Sequence, residues 1–361
     1  MMRTLIGYAT RLLLLQFAVM LFSFTTLLQL LDLLNNTDKL FERHGESADV
    51  LLRYIWLRLP DFASFLFPFA VLLAALLVLG RLAQSAEVMA MKAAGLSYWR
   101  ILAAFFPAAA IIAGLHFIMA DQVAPIAARE MADWNAAAED KFARSDQAQP
   151  VVWARDGLTL ARVVAVLNRG RELSGVTLFM RNADNVFHER VVAKRARYRD
   201  GGWDLYDVAR TVIDDRGGTD IFRVAQWRWN TDLSPQHFSD LAATPASLSL
   251  RELHAFAANE NVGSRPTYYY ETWFNKRLAL PVMTLIMVLL AAPVAQSLQR
   301  QHGVGLGFAA GIGMGFLYFI SDGILQSLGE SGMLPPQLAA WSPVVLFASI
   351  GATSLIRIEG Y

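Results

Sequence analysis

The 361-residue chain contains no cysteine, and this absence excludes disulfides, thiol catalysis and cysteine-ligated metal sites. Charged residues are also scarce, at 17% of the chain, against about 25% in ordinary soluble domains. The formal net charge is only +1, so the charge balance gives no argument for nucleic acid or for an acidic substrate.

Several sequence motifs are missing as well. The chain has no G-x-x-x-x-G-K-[ST] phosphate loop, no H-E-x-x-H and no G-x-S-x-G. Dense clusters of carboxylates or histidines are likewise absent from the sequence. These absences disfavour an enzyme, and they predict no cofactor or metal bound by this chain.

What the chain has instead is six apolar stretches without Asp, Glu, Lys or Arg. They are Leu12–Leu31, Phe62–Gly80, Ile101–Ala120, Leu278–Gln299, Gly303–Ser321 and Met333–Ile356. Each is close to the ~20 residues that a helix needs to cross a ~30 Å hydrocarbon core. Lipid offers the backbone no hydrogen-bonding partner, which favours helices. We therefore expect a multi-pass membrane protein with three helices on each side of one polar segment.

Basic residues in the short connections indicate the orientation. The N-terminus, the segment after the second stretch, the fourth connection and the C-terminal tail carry Arg3, Arg11, Arg81, Lys92, Arg100, Arg300 and Arg357. The positive-inside rule places these in the cytoplasm and the long polar segment outside. The first connection departs from the rule, because it carries Lys39, Arg43, Arg53 and Arg58.

The polar segment has the pattern of a β domain. Its alternating runs are Gly157–Val166, Gly175–Arg181, Val186–Arg199, Trp203–Val208 and Ile221–Trp229, and turn signals stand at Asp200-Gly201-Gly202 and Arg216-Gly217-Gly218. Within the third run, Arg195, Arg197 and Arg199 share one face and Ala196 and Tyr198 the other. Strands without intervening helices predict an antiparallel, jelly-roll-like domain.

Helical segments flank this domain. We expect a helix over Pro125–Arg144, a short amphipathic helix over Leu248–Ala258 and a linker over Asn259–Pro266. The predicted organisation is therefore residues 1–128 for the first three membrane helices, 129–272 for the extracytoplasmic domain and 273–361 for the last three helices.

The segment Arg81–Gly95 is too short to span a membrane. Its residues Leu82, Ala86, Met89 and Ala93 recur at helical spacing, and Gly95 is a plausible C-terminal stop. The pattern predicts a cytoplasmic helix lying flat between two membrane helices. Such a helix is either an ordinary connector or an element that docks into a partner's groove.

Two further features lie in the apolar stretches. Gly303, Gly307, Gly311 and Gly315 are spaced by four, which lets another helix approach closely, either within the chain or at a subunit seam. His116, Asp32 and Asp322 are ionisable groups in or near the membrane, where such groups are costly. They are predicted either to be functional or to be satisfied locally.

Three motifs carry a resemblance to a known family. Phe67-Pro68 with the run Ala70–Gly80, then Ala83–Glu87, then Met91–Gly95, are similar to the signature of the LptF/LptG (YjgP/YjgQ) lipopolysaccharide export permease family. Val123-Ala124-Pro125 and the stretch from Gly305 to Asp322 resemble the LptG branch more than the LptF branch. The resemblance extends over the whole layout of three helices, a β domain and three helices.

The resemblance implies a function and a set of partners. Members of this family are non-catalytic permease subunits of an ATP-driven transporter in the bacterial inner membrane. It extracts lipopolysaccharide from the outer leaflet and passes it toward the outer membrane. The implied partners are an LptF-like permease, an LptB-like ATPase dimer that binds ATP and Mg, an LptC-like single-helix protein and an LptA-like periplasmic bridge. No nucleic acid is implied.

The resemblance also assigns residues. The ATPase-coupling set would be Arg81, Ser85, Glu87, Met91, Lys92 and Gly95. The subunit seam or gate would be Gly303, Gly307, Gly311, Gly315 and Asp322. The candidates for the lipid cavity are Gln29, Asp32, Asn35, Lys39 and Arg129, although Gln29, Asn35 and Asn36 stand where some relatives have lysine.

Two other classes stay open from the sequence. One is a membrane-anchored periplasmic binding or scaffold protein, in which the helices serve only as an anchor. The other is a proton-driven secondary transporter that uses His116 and Asp322 as a proton site. Neither explains the amphipathic pattern of Arg81–Gly95.

Overall fold

The computed structural model describes residues 2–139, 151–168, 170–182, 186–213, 219–242, 245–258, 265–300 and 304–359. The chain divides into two compact units. The helical unit comprises Met1–Asp38, Ala48–Ala127 and Tyr268–Tyr361, and the β unit comprises Lys39–Ser47 and Ala128–Thr267. Lys39–Ser47 therefore belongs with the β unit, a grouping that the predicted division at residue 128 did not contain.

The helices before the sheet are α1 Met2–His44, α2 Ala48–Gln84, α3 Glu87–Ala93, α4 Tyr98–Ala103, α5 Phe106–Ile118, a π-helical turn Met119–Val123 and α6 Ala124–Glu139, and those after residue 264 are α9 Thr267–Arg300, α10 Val304–Glu330 and α11 Pro336–Glu359. The end of α1 from Lys39 and the part of α6 from Ala128 are grouped with the β unit. Over the described residues, five segments are long and apolar enough to cross a membrane: Arg3–His44, Ala48–Gln84, Phe106–Asn135, Thr267–Ala295 and Pro336–Arg357. α10 covers the fifth predicted stretch as a helix, except for Gly303, which lies outside the described residues.

The third predicted helix does not begin where the apolar run begins. Ile101 belongs to the short helix α4, the chain turns at Ala104 and Phe105, and α5 starts at Phe106 with Pro107 in its first turn. A proline disfavours helical geometry in the residue before it but is well suited to the start of a helix. The apolar composition continues through the turn, so composition alone could not locate the break.

α2 forms the centre of the helical unit. Residues 66–76 of this helix are all buried, and six of them, from Ala70 to Ala75, are almost fully enclosed. Phe17 of α1 and Phe316 of α10 both approach aromatic rings of α2, Phe67 and Phe69 respectively. A helix that is apolar on all sides is expected to be enclosed by its neighbours.

The β unit contains one six-stranded sheet. Its strands are β1 Val152–Asp156, β2 Thr159–Leu167, β3 Glu172–Arg181, β4 Phe187–Arg199, β5 Gly202–Ile213 and β6 Thr219–Trp229. All neighbours are antiparallel and follow chain order, from β1 at one edge to β6 at the other. The predicted antiparallel pairing is confirmed. The described strands form an open meander in chain order that does not close, rather than the jelly-roll-like arrangement predicted from the sequence.

Local details of the sheet follow the sequence pattern. Ala196 is buried while Arg195, Arg197 and Arg199 are exposed, as the alternation predicts. Asp200 and Gly201 both have positive φ, at 46° and 77°, which is the geometry of a tight hairpin turn. The other predicted turn, at residues 216–218, lies outside the described residues.

Three helices accompany the sheet. α7 is Pro235–Ala242, and its Phe238 meets the buried ring of Trp203 edge to face. α8 is Leu250–Ala258, close to the predicted span. α6 is described as far as Glu139, so the rest of its predicted span, to Arg144, falls outside the described residues, as do residues 259–264 of the predicted linker.

Candidate functional site

The predicted coupling helix Arg81–Gly95 is broken in the structure. Arg81 to Gln84 complete α2, a turn follows at Ser85 and Ala86, and α3 begins at Glu87. Ala86 has φ 58°, a left-handed conformation that interrupts a helix. The prediction of one continuous helix is therefore wrong, and the correct description is a helix end, a turn and a helix of two turns.

The break also changes which side chains are buried. Val88 is enclosed, whereas Met89 of the predicted apolar stripe is 65% exposed, and Ala86 and Ala93 are exposed too. A left-handed residue redirects the chain, so the helical phase read from Leu82 does not continue past residue 86. Only Leu82 of the predicted stripe is buried.

The end of α3 is as predicted. Gly95 has φ 85°, its N–H donates to the carbonyl of Lys92 at 2.9 Å, and the N–H of Leu96 donates to the carbonyl of Met91 at 3.1 Å. This pair of hydrogen bonds is the Schellman arrangement, in which a left-handed glycine ends a helix. The side chains of Met91 and Leu96 both pack against the helical core.

Glu87 joins α3 to two other parts of the helical unit. The Ser85 hydroxyl donates to its carboxylate at 2.9 Å, and the Tyr8 hydroxyl of α1 donates to it at 3.3 Å. The cationic residues of the segment, Arg81 and Lys92, are exposed, and the ammonium of Lys92 lies 5.6 Å from the ring centre of Tyr98. The segment thus presents positive charge outward from a position held by α1 and α2.

A cavity of about 560 Å³ adjoins this segment. It lies between the beginning of α1 and the helices α3 and α4. Its lining residues are Thr4, Leu5, Tyr8, Glu87, Met91, Leu96 and Arg100. Sequence reasoning identified Glu87 and Met91 but gave no reason to group them with the first residues of the chain.

The glycines of α10 pack against α2 of the same chain. A Cβ added to Gly311 would stand 2.6 Å from Leu76, and one added to Gly315 would stand 2.5 Å from the ring of Phe69, whereas Gly313 has nothing within 4 Å. Intramolecular packing, one of the two predicted alternatives, therefore accounts for Gly311 and Gly315. Gly307 falls within α10, and Gly303 is outside the described residues.

Asp322 and His116 have separate environments. Asp322 of α10 accepts a hydrogen bond from Lys276 of α9 and forms an ion pair with it. The side chain of Asp322 is 16% exposed and that of Lys276 is 11% exposed. The Nδ1 atom of His116 lies 2.8 Å from the hydroxyl of Thr284, and its ring stacks on Phe67. Among the described residues no hydrogen bond or ion pair joins His116 to Asp322.

Sequence reasoning missed the partners of these groups. Lys276 and Arg277 stand just before the apolar run that begins at Leu278, and they were not among the predicted site residues. Arg277 is buried and donates to the carbonyl of Ala120 in the π-helical turn. A π-helical turn displaces the regular backbone pairing, and the guanidinium meets one of its carbonyls.

The lipid-cavity candidates are divided between the two units. Gln29, Asp32 and Asn35 belong to the helical unit, and Lys39 and Arg129 to the β unit. Asp32 accepts hydrogen bonds from Tyr54 at 2.6 Å and from Asn36 at 3.1 Å, and Arg58 lies 3.9 Å from it.

The other candidates differ in accessibility. Gln29 is buried, and its amide has no hydrogen-bond partner among the described residues. Asn35 and Lys39 are exposed. Arg129 donates to Glu252 at 2.5 Å and to the Ser247 carbonyl at 3.1 Å, so its guanidinium is already engaged within the β unit.

Comparison with known proteins identifies the family. The family model described as lipopolysaccharide export system permease LptF/LptG matches residues 7–357. The lipopolysaccharide export system permease protein LptG of Escherichia coli K12 is 25% identical over 307 residues, which cover 84% of each chain. The LptG protein of Haemophilus influenzae is 24% identical over 304 residues and 81% of each chain. The chain therefore belongs to the LptF/LptG family of lipopolysaccharide export permeases and is a multi-pass inner-membrane transport subunit, not an enzyme.

Proposed function

We propose that this chain is the LptG-like permease subunit of a lipopolysaccharide exporter and that the segment from Arg81 to Gly95 receives the force of a separate ATPase. The observation that carries the proposal is the position of Glu87. Its carboxylate is held by Ser85 and by Tyr8 of α1, and α3 follows directly from α2. A push on α3 is therefore delivered to two long helices.

The partners in this proposal are those of the family. Membership implies an Lpt transporter complex, and we assign to it an LptF-like permease, an LptB-like ATPase dimer, an LptC-like single-helix protein and an LptA-like bridge. ATP and Mg would be bound by the ATPase and no cofactor by this chain. The exposed Arg81 and Lys92 beside Glu87 offer the ATPase a mixed-charge surface, which favours a defined register of docking.

The membrane arrangement completes the proposal. With α10 counted as a span, we infer six membrane helices, three before and three after the β unit. We assign the six-stranded sheet to the periplasmic domain that the family resemblance implies. Its edge strand β6 exposes Ile221, Phe222 and Val224, and an exposed edge strand is suited to pairing with a strand of another protein.

The transport cycle needs no chemistry from this chain. ATP binding would close the ATPase dimer and move the coupling segments together, so that the cavity between the two permeases narrows and expels the lipid. The energy must come from contacts that differ between the open and closed states. Since α2 packs against Gly311 and Gly315 of α10, a displacement of α2 would carry α10 with it.

We propose separately which residues contact the transported lipid. Asp32, with Tyr54 and Arg58 around it, and the exposed Asn35 are the candidates in the helical unit. Lys39 is exposed in the β unit, whereas Arg129 would meet a lipid phosphate only after releasing Glu252. Gln29 is enclosed by the chain and would need α1 to move before it reached a lipid.

The first experiment is a tagged purification from the native host in mild detergent, followed by mass spectrometry of proteins and lipids. We expect a small ATPase, a second permease of similar size and lipopolysaccharide. Recovery of this chain with none of them, even after crosslinking from position 87, would contradict the proposal and favour an anchored scaffold.

A substitution tests the coupling role directly. Glu87→Ala removes the carboxylate that joins α3 to α1, and it is expected to lower lipopolysaccharide-dependent ATP turnover while leaving insertion intact. Glu46→Ala, which removes an exposed acid from the connection between α1 and α2, is the matched control. If both variants transport and recover the ATPase like the parent protein, Glu87 has no coupling role.

A further inference from the structure

The cavity beside α3 has the size of a small-molecule site. Its volume is about 560 Å³, within the ~300–1,000 Å³ typical of ligand pockets. It is bounded by the beginning of α1 on one side and by α3 and α4 on the other. All of its lining residues belong to the helical unit.

The walls of this cavity are apolar at the base. Leu5, Met91 and Leu96 are partly buried, and each packs against the helical core. An occupant that covers these three side chains removes apolar surface from water, which contributes roughly 25 cal/mol per Å². The base therefore suits a hydrocarbon chain.

The polar part of the wall is dominated by one cation. The Arg100 guanidinium is exposed and forms no hydrogen bond or ion pair with any described residue. The acid in the wall, Glu87, is already engaged by the hydroxyls of Ser85 and Tyr8. A guanidinium is well suited to phosphate, because its N–H groups form a planar fork.

The surroundings add positive charge. Residues 1–11 and 81–100 contain five basic side chains, Arg3, Arg11, Arg81, Lys92 and Arg100, against the single acid Glu87. Basic clusters at the cytoplasmic ends of membrane helices attract anionic lipids, by about 1 kcal/mol for each Lys or Arg near the surface. Trp99, next to Arg100, is 42% exposed, and exposed tryptophans are typical of the headgroup level of a bilayer.

We propose that this cavity binds an anionic phospholipid of the cytoplasmic leaflet. An acyl chain covers Leu5, Met91 and Leu96, and the phosphate pairs with Arg100. This lipid is distinct from the transported lipopolysaccharide, which the family takes from the other leaflet. The bound phospholipid contacts both α1 and α3, so it would change how the segment from Arg81 to Gly95 moves against α1. That consequence alone rests on the proposed function.

The test measures lipid binding and does not depend on transport. The full-length protein is purified in detergent and titrated with phosphatidylglycerol or phosphatidylethanolamine, and bound lipid is counted by native mass spectrometry. We expect phosphatidylglycerol to bind more tightly, and Arg100→Gln to weaken its binding about fivefold. Arg11→Gln, which removes an exposed charge from α1 outside the cavity wall, is the matched control for general charge attraction and should weaken binding less than Arg100→Gln does.

A second variant tests the apolar base. Leu5→Trp fills the cavity without changing the charge, and it should reduce the binding of both lipids while leaving thermal unfolding near that of the parent protein. If Leu5→Trp unfolds the protein, a photoreactive phenylalanine at position 96 replaces it. In membranes, this probe should form an adduct with the mass of a phospholipid.

Three results would overturn the proposal. The first is an equal loss of binding in Arg100→Gln and Arg11→Gln, because it would indicate general charge attraction rather than a site. The second is equal binding of the two phospholipids by the parent protein. The third is an adduct from position 96 with protein only, which would assign the cavity to a protein partner.

Discussion

The two polar regions of the helical unit use their charged side chains in opposite ways. Lys276 and Asp322 are largely buried and pair with each other, and buried Arg277 meets a backbone carbonyl of the π-helical turn. In the segment from the end of α2 to α4, Arg81 and Arg100 are exposed. The first region satisfies its charges within the chain, and the second leaves them available to other molecules.

The difference has a physical cause. A charge enclosed by helices cannot reach water, so an unpaired one would be very costly and the chain must supply the partner. A charge at the end of a helix keeps its hydration and needs no partner. The buried pair of Lys276 and Asp322 therefore joins α9 to α10, whereas the exposed charges stay available to other molecules.

The largest expected effect comes from breaking the buried pair of Lys276 and Asp322. Lys276→Ala leaves Asp322 enclosed without its partner and should lower the free energy of unfolding by about 3–5 kcal/mol. Unfolding in detergent, followed by tryptophan fluorescence, measures this loss. Arg81→Gln, which removes an exposed charge, should change the free energy of unfolding by less than about 0.5 kcal/mol.

A double variant sharpens this prediction. Lys276→Met with Asp322→Leu replaces both charges by apolar groups and should recover most of the stability lost by Lys276→Ala. If the double variant is as unstable as the single one, the pair contributes specific hydrogen bonding beyond charge neutralisation. Equal stability of Lys276→Ala and Arg81→Gln would refute the contrast between the two regions.

The glycines of α10 extend the comparison to packing. Gly315→Ala places a methyl group against Phe69, where an added Cβ stands 2.5 Å from the ring, and overpacking of this kind costs about 1–3 kcal/mol. Gly313→Ala points into open space and should be neutral or slightly stabilising, because alanine favours a helix. Thermal unfolding of the two variants measures the difference.

The same two variants distinguish packing from a subunit seam. If α10 forms a seam with a second permease through its exposed side, Gly313→Ala will reduce co-purification of that permease while the chain stays folded. If Gly315→Ala alone reduces recovery, the defect follows from packing within the chain.

In the β unit, an ion pair of intermediate exposure gives a smaller effect. Burial alone would raise the pKa of Glu252, but hydrogen bonds from Arg129 and from the N–H and hydroxyl of Ser249 lower it below its usual value of 4.5. The bond from the Ser249 N–H to the Glu252 carboxylate is one half of a capping box at the start of α8. Arg129→Ala should therefore weaken α8 by about 1 kcal/mol, whereas exposed Arg251→Ala should not.

The pH dependence of α8 follows from the same groups. Because the folded pKa of Glu252 is lowered, the stabilisation is present at neutral pH and is lost as the pH falls below about 4.5. Hydrogen exchange of the α8 amides, corrected for intrinsic rates, should accelerate in that range in the parent protein. In Arg129→Ala, the acceleration should be smaller. Equal acceleration in both would exclude Arg129 as the source of the shift.

The long helices and most strands could be predicted because their signals are local. A run of twenty apolar residues or an alternation of two faces is visible without knowledge of the tertiary structure. The hairpin turn at Asp200 and Gly201 and the end of α3 at Gly95 were also predictable, because glycine tolerates positive φ where other residues are strained.

The pairings could not be predicted because they depend on distant parts of the chain. Lys276 and Asp322 are 46 residues apart, and Tyr8 and Glu87 are 79 apart. For the first pair the sequence showed a basic residue beside one apolar run and an aspartate at the end of another, but it did not show that the two would meet. The turn at Ala86 had no signal, since alanine is a strong helix former and its left-handed conformation is imposed by its surroundings.

The smallest expected effect concerns this turn. A left-handed alanine costs about 1–2 kcal/mol, and glycine would avoid that strain but lose about 0.5–1 kcal/mol of conformational entropy. Ala86→Gly should therefore stabilise α3 by about 0.5 kcal/mol and slow hydrogen exchange of its amides slightly. Ala93→Gly, at the right-handed last residue of α3, is the matched control and should destabilise the helix by about 0.5 kcal/mol. If both substitutions accelerate exchange, residue 86 is helical in the working protein, and the coupling segment is the continuous helix that the sequence pattern predicts.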